Sequence, residues 1–176
     1  MDKEYKDLVA KYLWVLDYIG DSALDIYCGE GHGTSIISQV VREAIGVDPN
    51  EDNIRRARRR YSNISLSFQC KDIGSYYEMG MFDTVICFDA DSITSNWKEF
   101  LDKIFNKLVY ENGDLIFSVP FKKAKEAKDY FIGYQSKFFI FKDNRIELAS
   151  NFSEEEGILL VILAKEKFNW LERIKL

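Results

Sequence analysis

The residues able to do chemistry gather around one stretch, residues 23–35, ALDIYCGEGHGTS. Apolar Leu24 and Ile26 lead to Cys28, and then Gly29, Gly31 and Gly33 alternate with Glu30 and His32. This reads as a buried strand, a tight turn and a helix start. In such a turn, backbone N–H groups can come close to a ligand because glycine has no Cβ. Asp25 lies inside the strand, where a carboxylate is costly without a partner, and a cationic ligand group would supply one. Asp48 follows 23 residues later, the length of one strand–helix–strand unit. A carboxylate there can accept hydrogen bonds from both hydroxyls of a ribose. Asp72, Asp89 and Asp91 come after later apolar runs; a turn role is the alternative for Asp72, and Asp91 reads as a helix-start residue. His32, the sole histidine, is a candidate general base, with helix capping or solvent exposure as the blander reading.

The elements that must position these groups alternate strand and helix. Residues 2–19 place Leu8, Val9, Tyr12, Leu13, Leu16 and Ile19 at helical spacing, which predicts an amphipathic helix ending at Gly20. Asp2, Lys3, Glu4, Lys6, Asp7 and Lys11 fill its other face. After the glycine turn come a helix with Ile36, Ile37, Val40 and Val41, and a strand over 43–48. Pro49 follows, and Asn50 can cap a helix over 51–61. Arg55, Arg56, Arg58, Arg59 and Arg60 face outward there, as a solvated, ion-paired surface rather than a phosphate site. Strands are expected over 64–70, 82–89 and 114–119, with a helix over about 96–109 and a turn at 111–113. A helix bearing Lys122, Lys123, Lys125 and Lys128 is expected over 121–134. Strand material with an Asp143-Asn144 turn fills 138–150. A polar turn at 154–157 leads to a buried final strand over 158–164, and the tail, with Phe168, Trp170, Leu171 and Ile174, docks on the domain or a partner. The division is residues 1–20 as an N-terminal helix, 21–165 as one α/β domain with a mostly parallel sheet, and 166–176 as a tail.

Composition bounds the function. The chain has 176 residues, 47% hydrophobic and 15% aromatic, so a substantial core is expected. A net charge of −5 does not favour nucleic acid. No apolar run reaches membrane-spanning length, and the charged start has no signal-peptide pattern, so a cytoplasmic location is expected. Cys28, Cys70 and Cys87 sit in expected strands without a CxxC or Cys/His cluster, so buried reduced thiols acting as small apolar residues are expected rather than a zinc site.

The stretch around Asp25, Gly29 and Gly31 resembles motif I of class I S-adenosylmethionine-dependent methyltransferases. Tyr27 departs from it, since the family most often has glycine there. The run FDTVICFD … NKLVYENGDLIFSVP is similar to the family's fourth and fifth strands. The resemblance covers about residues 20–165 and implies a Rossmann-like sheet of seven strands, order 3-2-1-4-5-7-6, strand seven antiparallel. It implies S-adenosylmethionine as cofactor, with Asp48 and Pro49 at the ribose and Asp72 and Ile73 at the adenine. Asp25, Tyr27, Gly29, Gly31 and Asp89 fall around the rest of the cofactor. Tyr27 either orients the methionine moiety or narrows the pocket. Asp89-Ala90-Asp91 resembles the metal-binding acids of catechol-type O-methyltransferases. Ser92 and Val119-Pro120, however, replace their lysine and Asp-Asn pair, so no metal is expected.

Methyl transfer implied this way rests on positioning and desolvation, with no fixed catalytic residue; Asp89, Asp91 and His32 are the candidate bases. The acceptor is left open between a small molecule and a macromolecule, with an oligomer that completes the site also open. The Asn/Asp-Pro-Pro-Tyr sequence of amino-methylating DNA and protein-glutamine enzymes is replaced by Asp89-Ala90-Asp91-Ser92, which disfavours that subgroup. The competing readings are a regulatory protein that binds S-adenosylmethionine without transfer, an aminopropyl transferase, and a nicotinamide oxidoreductase. The last is weakened because Gly29-Glu30-Gly31-His32-Gly33-Thr34 is not GxGxxG.

Overall fold

In a computed structural model, the described residues are 3–143, 145–149 and 157–164. Asn144, the acidic turn residues 154–156 and the tail 165–176 lie outside them, so the readings made for those residues stay as sequence expectations. The strands are β1 Ser22–Ile26, β2 Glu43–Asp48, β3 Leu66–Cys70, β4 Phe82–Cys87, β5 Val109–Pro120, β6 Gln135–Lys142, β7 Arg145–Leu148 and β8 Ile158–Ala164. The helices are α1 Lys3–Val15, α2 His32–Ile37, α3 Glu51–Arg60, α4 Ala90–Ile93, α5 Trp97–Leu108 and α6 Ala124–Tyr130. Short 3-10 turns stand at Ile73–Glu78 and Phe121–Lys123. The second of these takes the place of the first turn of the helix expected over 121–134.

The sheet order is β3-β2-β1-β4-β5-β8-β6-β7. β1 to β5 are parallel; β8 runs antiparallel between β5 and β6. This is the order expected from the resemblance, with one strand more. The strand material expected over 138–150 divides at Asp143, the first residue of the expected turn, whose φ of 50° is left-handed, and the four-residue β7 folds back on β6 as the outer edge. The expected turn at 111–113 is instead an interruption inside β5. Phe82 pairs with Val109 and Thr84 with Asp114, so three extra residues of β5 bulge out.

Period-two alternation sends side chains to both faces of the central strands, as a sheet covered on two sides requires. Leu115, Phe117 and Val119 join Leu159, Val161 and Leu163 on the face covered by α5. The stripe Trp97, Phe100, Leu101, Ile104, Phe105 and Leu108 is the buried side of that helix. Ile116, Leu160 and Ile162 meet α1 and α2 on the opposite face, through Tyr12, Val15 and Ile37. α1 departs from the sequence reading in three ways. It ends at Val15 rather than near Gly20, Leu13 is more than half exposed, and Lys11, placed on the polar face, is buried. β3 starts at Leu66, and Ile64 before it is exposed. Among the described residues no helix is long and apolar enough to cross a membrane. The cysteines are free, but Cys70 is exposed and Cys28 lies in the turn beyond β1.

Candidate functional site

The turn after β1 holds three left-handed residues in five positions: Tyr27 (φ 58°), Gly29 (φ 56°) and Gly31 (φ 79°). Cys28 N–H donates to the Val47 carbonyl at 3.0 Å, which ties the turn to the end of β2. At Gly31 a Cβ would stand 2.6 Å from the Phe68 ring and 2.9 Å from the Ala57 Cβ. The missing side chain therefore lets α3 and β3 close on the turn. A Cβ on Gly29 meets nothing within 4 Å, so that side of the turn is open.

Asp25 is fully buried behind this turn. Its carboxylate accepts the Tyr12 hydroxyl at 2.8 Å and the Thr34 hydroxyl at 2.6 Å. The partner expected to be a cationic ligand group is thus two neutral hydroxyls of the chain itself. Each reaches the acid from a helix, Tyr12 from α1 and Thr34 from α2. Burial pushes the carboxyl up from 3.8 to about 6, while the hydrogen bonds from Thr34 and Tyr12 hold it down. Between these values the native state keeps a proton that the unfolded chain has lost. The contribution is therefore present at pH 4 and is lost as pH rises through 6. Asp25→Asn should remove roughly 2–3 kcal/mol of that decline. The check is the urea midpoint of both proteins at pH 4 and pH 7; parallel profiles would refute the assignment.

Asp48 ends β2 beside the turn and is 5% exposed. One oxygen, Oδ2, accepts the Gly29 N–H at 3.0 Å; Oδ1 accepts Asn50 N–H at 2.9 Å and Asn53 Nδ2 at 3.2 Å. A carboxylate offers about four acceptor positions, so one is left, on Oδ2. Two ribose hydroxyls could both bind only if Asn53 gave way. Pro49 next to it is exposed and accepts Cys70 Sγ at 3.6 Å. Asn50 caps α3 as expected, accepting from the N–H groups of Asp52 and Asn53. Asp72 leads into the 3-10 turn that Ile73 begins; it is exposed and its side chain makes no cap hydrogen bond.

At the end of β4, Asp89 is left-handed (φ 52°) and its carboxylate is about half exposed. Its N–H donates to Ser118 Oγ at 2.8 Å, and Ser118 Oγ donates back to Oδ1 at 3.1 Å. Buried Lys11 reaches Oδ2 at 3.4 Å, with its ammonium 4.9 Å from the centre of the Phe88 ring. Sequence reading missed this lysine, because helical periodicity assigns a face but does not show what a long side chain reaches. Asp91 points elsewhere, to Lys123 Nζ at 2.9 Å. Among the described residues no group of three or more His, Cys, Asp or Glu could hold a metal ion. His32 faces α3, with Nε2 3.1 Å from Arg60 Nη1 and Nδ1 2.5 Å from the Tyr61 hydroxyl. Because guanidinium only donates, Nε2 must accept, so the neutral ring carries its hydrogen on Nδ1. Burial and Arg60 both lower its pKa. Both nitrogens are engaged, which leaves the ring poorly placed to take a substrate proton. Arg56 and Arg60 clamp Glu30 of the turn at 3.0 Å each, Arg55 pairs with Asp52, and Arg58 donates to the Phe68 carbonyl. Four of the five arginines are thus tied down by their own protein, which agrees with the ion-paired reading of this helix.

An open α/β sheet with a glycine turn at the end of its first strand and acids after β2, β3 and β4 defines a Rossmann-like nucleoside-binding fold. The methyltransferase domain family profile matches residues 23–110, half of the chain, and the chain belongs to that family. A probable S-adenosylmethionine-dependent methyltransferase of Mycolicibacterium smegmatis is 26% identical over 105 residues. The match takes in 57% of this chain and 38% of that protein, so the chain spans well under half the length of this curated relative. Among solved structures, the methyltransferase domain of bacterial CtHen1-C superposes with a TM-score of 0.70 at 14% identity, over 94% of this chain and all of that one. The N-methyltransferase NodS of Bradyrhizobium japonicum, in complex with S-adenosyl-L-homocysteine, gives 0.68 at 14% identity over 94% and 88%. At such identities these structures establish the fold.

Proposed function

We propose that this chain binds S-adenosylmethionine at the turn after β1 and transfers its methyl group to an acceptor. The observation that carries the reading is the pairing of an open left-handed Gly29 with Asp48, whose Oδ2 keeps one acceptor position toward that turn. The donor set suits the ligand: a carboxylate for a ribose hydroxyl, an exposed Asp72 for an adenine amino group, and Asp89 near a cationic centre. When bound, S-adenosylmethionine would supply an already activated methyl group. The chain's own part is to hold, orient and exclude water. Asp89, braced by Ser118 and Lys11, is the acid best placed to orient an acceptor or take its proton.

Thermal-shift titration with S-adenosylmethionine, S-adenosylhomocysteine and NADH tests this. Either adenosyl ligand at 100 times its dissociation constant should stabilise by about 2.7 kcal/mol. That corresponds to a rise of roughly 5–10 °C. A rise with NADH instead would replace the reading with the oxidoreductase one. A second reading, binding without transfer, is favoured by Tyr27, a bulky residue held at φ 58° where a glycine would be free of strain. Adenosyl binding without S-adenosylhomocysteine formation across broad acceptor pools would decide for it.

A further inference from the structure

Tyr76 is the largest polar side chain in the core that has no hydrogen-bond partner. It is 0% exposed, and its hydroxyl is one of two buried side-chain oxygens without a partner among the described residues. A phenylalanine would fill the same apolar space without an orphaned donor, and buried polar groups are almost always paired. The position is not arbitrary. Tyr76 belongs to the 3-10 turn that begins after Asp72, and the Tyr27 ring stands edge-on to it at 6.3 Å and 85°. Burial is the main cause that pushes its phenol well above the usual range, and Tyr27, Asp48, Cys87 and Cys28, from the ends of β1, β2 and β4, add to it. Two local costs therefore meet: a left-handed tyrosine and, against it, an unpaired buried hydroxyl. Strain and unsatisfied groups of this kind concentrate where a ligand binds.

We propose that the Tyr76 hydroxyl is a ligand contact that donates to a ribose hydroxyl of the adenosyl ligand, reached when the Tyr27 ring turns aside. Tyr76 offers an O–H donor, and the remaining Oδ2 position of Asp48 offers an acceptor. A group seated between them must accept from one and donate to the other, and a vicinal diol does both. Tyr27 then acts as a cover: without ligand its ring lies against Tyr76, and with ligand it closes over the sugar. This inference rests on the adenosyl-binding reading above.

Tyr76→Phe tests it with two readouts that move in opposite senses. Affinity for S-adenosylhomocysteine, measured by calorimetry, should fall about tenfold. The melting temperature without ligand should stay level or rise, because an orphaned hydroxyl has been removed. Adenosine and 2′,3′-dideoxyadenosine give the control for the sugar: the wild type's preference for the diol should shrink about tenfold in the variant. Equal affinity of both proteins for S-adenosylhomocysteine, or an unchanged diol preference, overturns the contact and leaves adenosyl binding standing. A loss of affinity that comes with a lower unliganded melting temperature marks a packing role and also overturns it. Failure of the wild type to bind any of the three ligands overturns the adenosyl reading and this contact together.

Discussion

Asp48→Ala is expected to weaken S-adenosylhomocysteine binding by about 2–3 kcal/mol, one charge-assisted hydrogen bond to a ribose hydroxyl. The structure sets this value below what two such bonds would give, because Oδ1 is already taken by Asn50 and Asn53. The same substitution leaves the Gly29 N–H without its acceptor and so loosens the turn itself. Asp48→Asn separates the two effects. It keeps the volume and one oxygen, yet turns an amide donor toward either the Gly29 N–H or the Asn50 N–H. Both variants should lose affinity, whereas a control at Asp52, exposed and paired with Arg55, should not. Calorimetry with each protein gives the answer. Unchanged affinity in Asp48→Ala would remove the residue from the site and, with it, the main support for the adenosyl reading.

Asp48 was legible in the sequence because its signal is local: an acid at the end of a short apolar strand, one crossover after a glycine turn. β4 and β8 were legible for a similar reason, since each is a short, nearly continuous apolar run, as strands covered on both faces are. What could not be read are contacts that depend on where whole elements come to rest. The hydroxyl of Tyr12 closes on Asp25 across two elements, and apolar spacing in α1 says only that the ring faces inward. Lys11 reads as polar and therefore exposed. Its side chain is instead buried and carries the ammonium over the Phe88 ring to Asp89, 78 positions later. The break before the extra edge strand was legible, because Asp143-Asn144 interrupts the strand material; what the sequence did not show is that the four residues beyond it pair back on β6 as a separate strand. The orphaned Tyr76 hydroxyl gave no sequence signal, because tyrosine in an aromatic turn reads as ordinary core.

Gly33→Ala should be strongly destabilising, for a reason that lies in packing rather than in backbone freedom. Gly33 is inside α2, where alanine is intrinsically preferred by about 1 kcal/mol. Its Cβ, however, would stand 2.0 Å from the Tyr12 ring. That ring cannot slide away cheaply. Its hydroxyl is bound to Asp25, and its edge packs on Phe88 with centroids 5.0 Å apart. Moving it strains a filled core, at about 1–3 kcal/mol, and breaks a hydrogen bond to a buried acid, at about 1.5–3 kcal/mol. A net destabilisation of about 3 kcal/mol follows, or a melting temperature lower by roughly 6–12 °C. The decisive comparison is a double-mutant cycle. In a Tyr12→Ala background the obstructing ring is gone, so Gly33→Ala should be close to neutral, with a coupling of 2 kcal/mol or more. Additive losses would mean that α1 does not rest on the glycine turn. Gly29→Ala supplies the contrast. Nothing lies within 4 Å of its Cβ, so only the left-handed backbone resists, at about 1–2 kcal/mol, with no coupling to Tyr12. One glycine of the motif is there for its backbone angle, and the other so that a helix far upstream can lie across it and seal Asp25 from water.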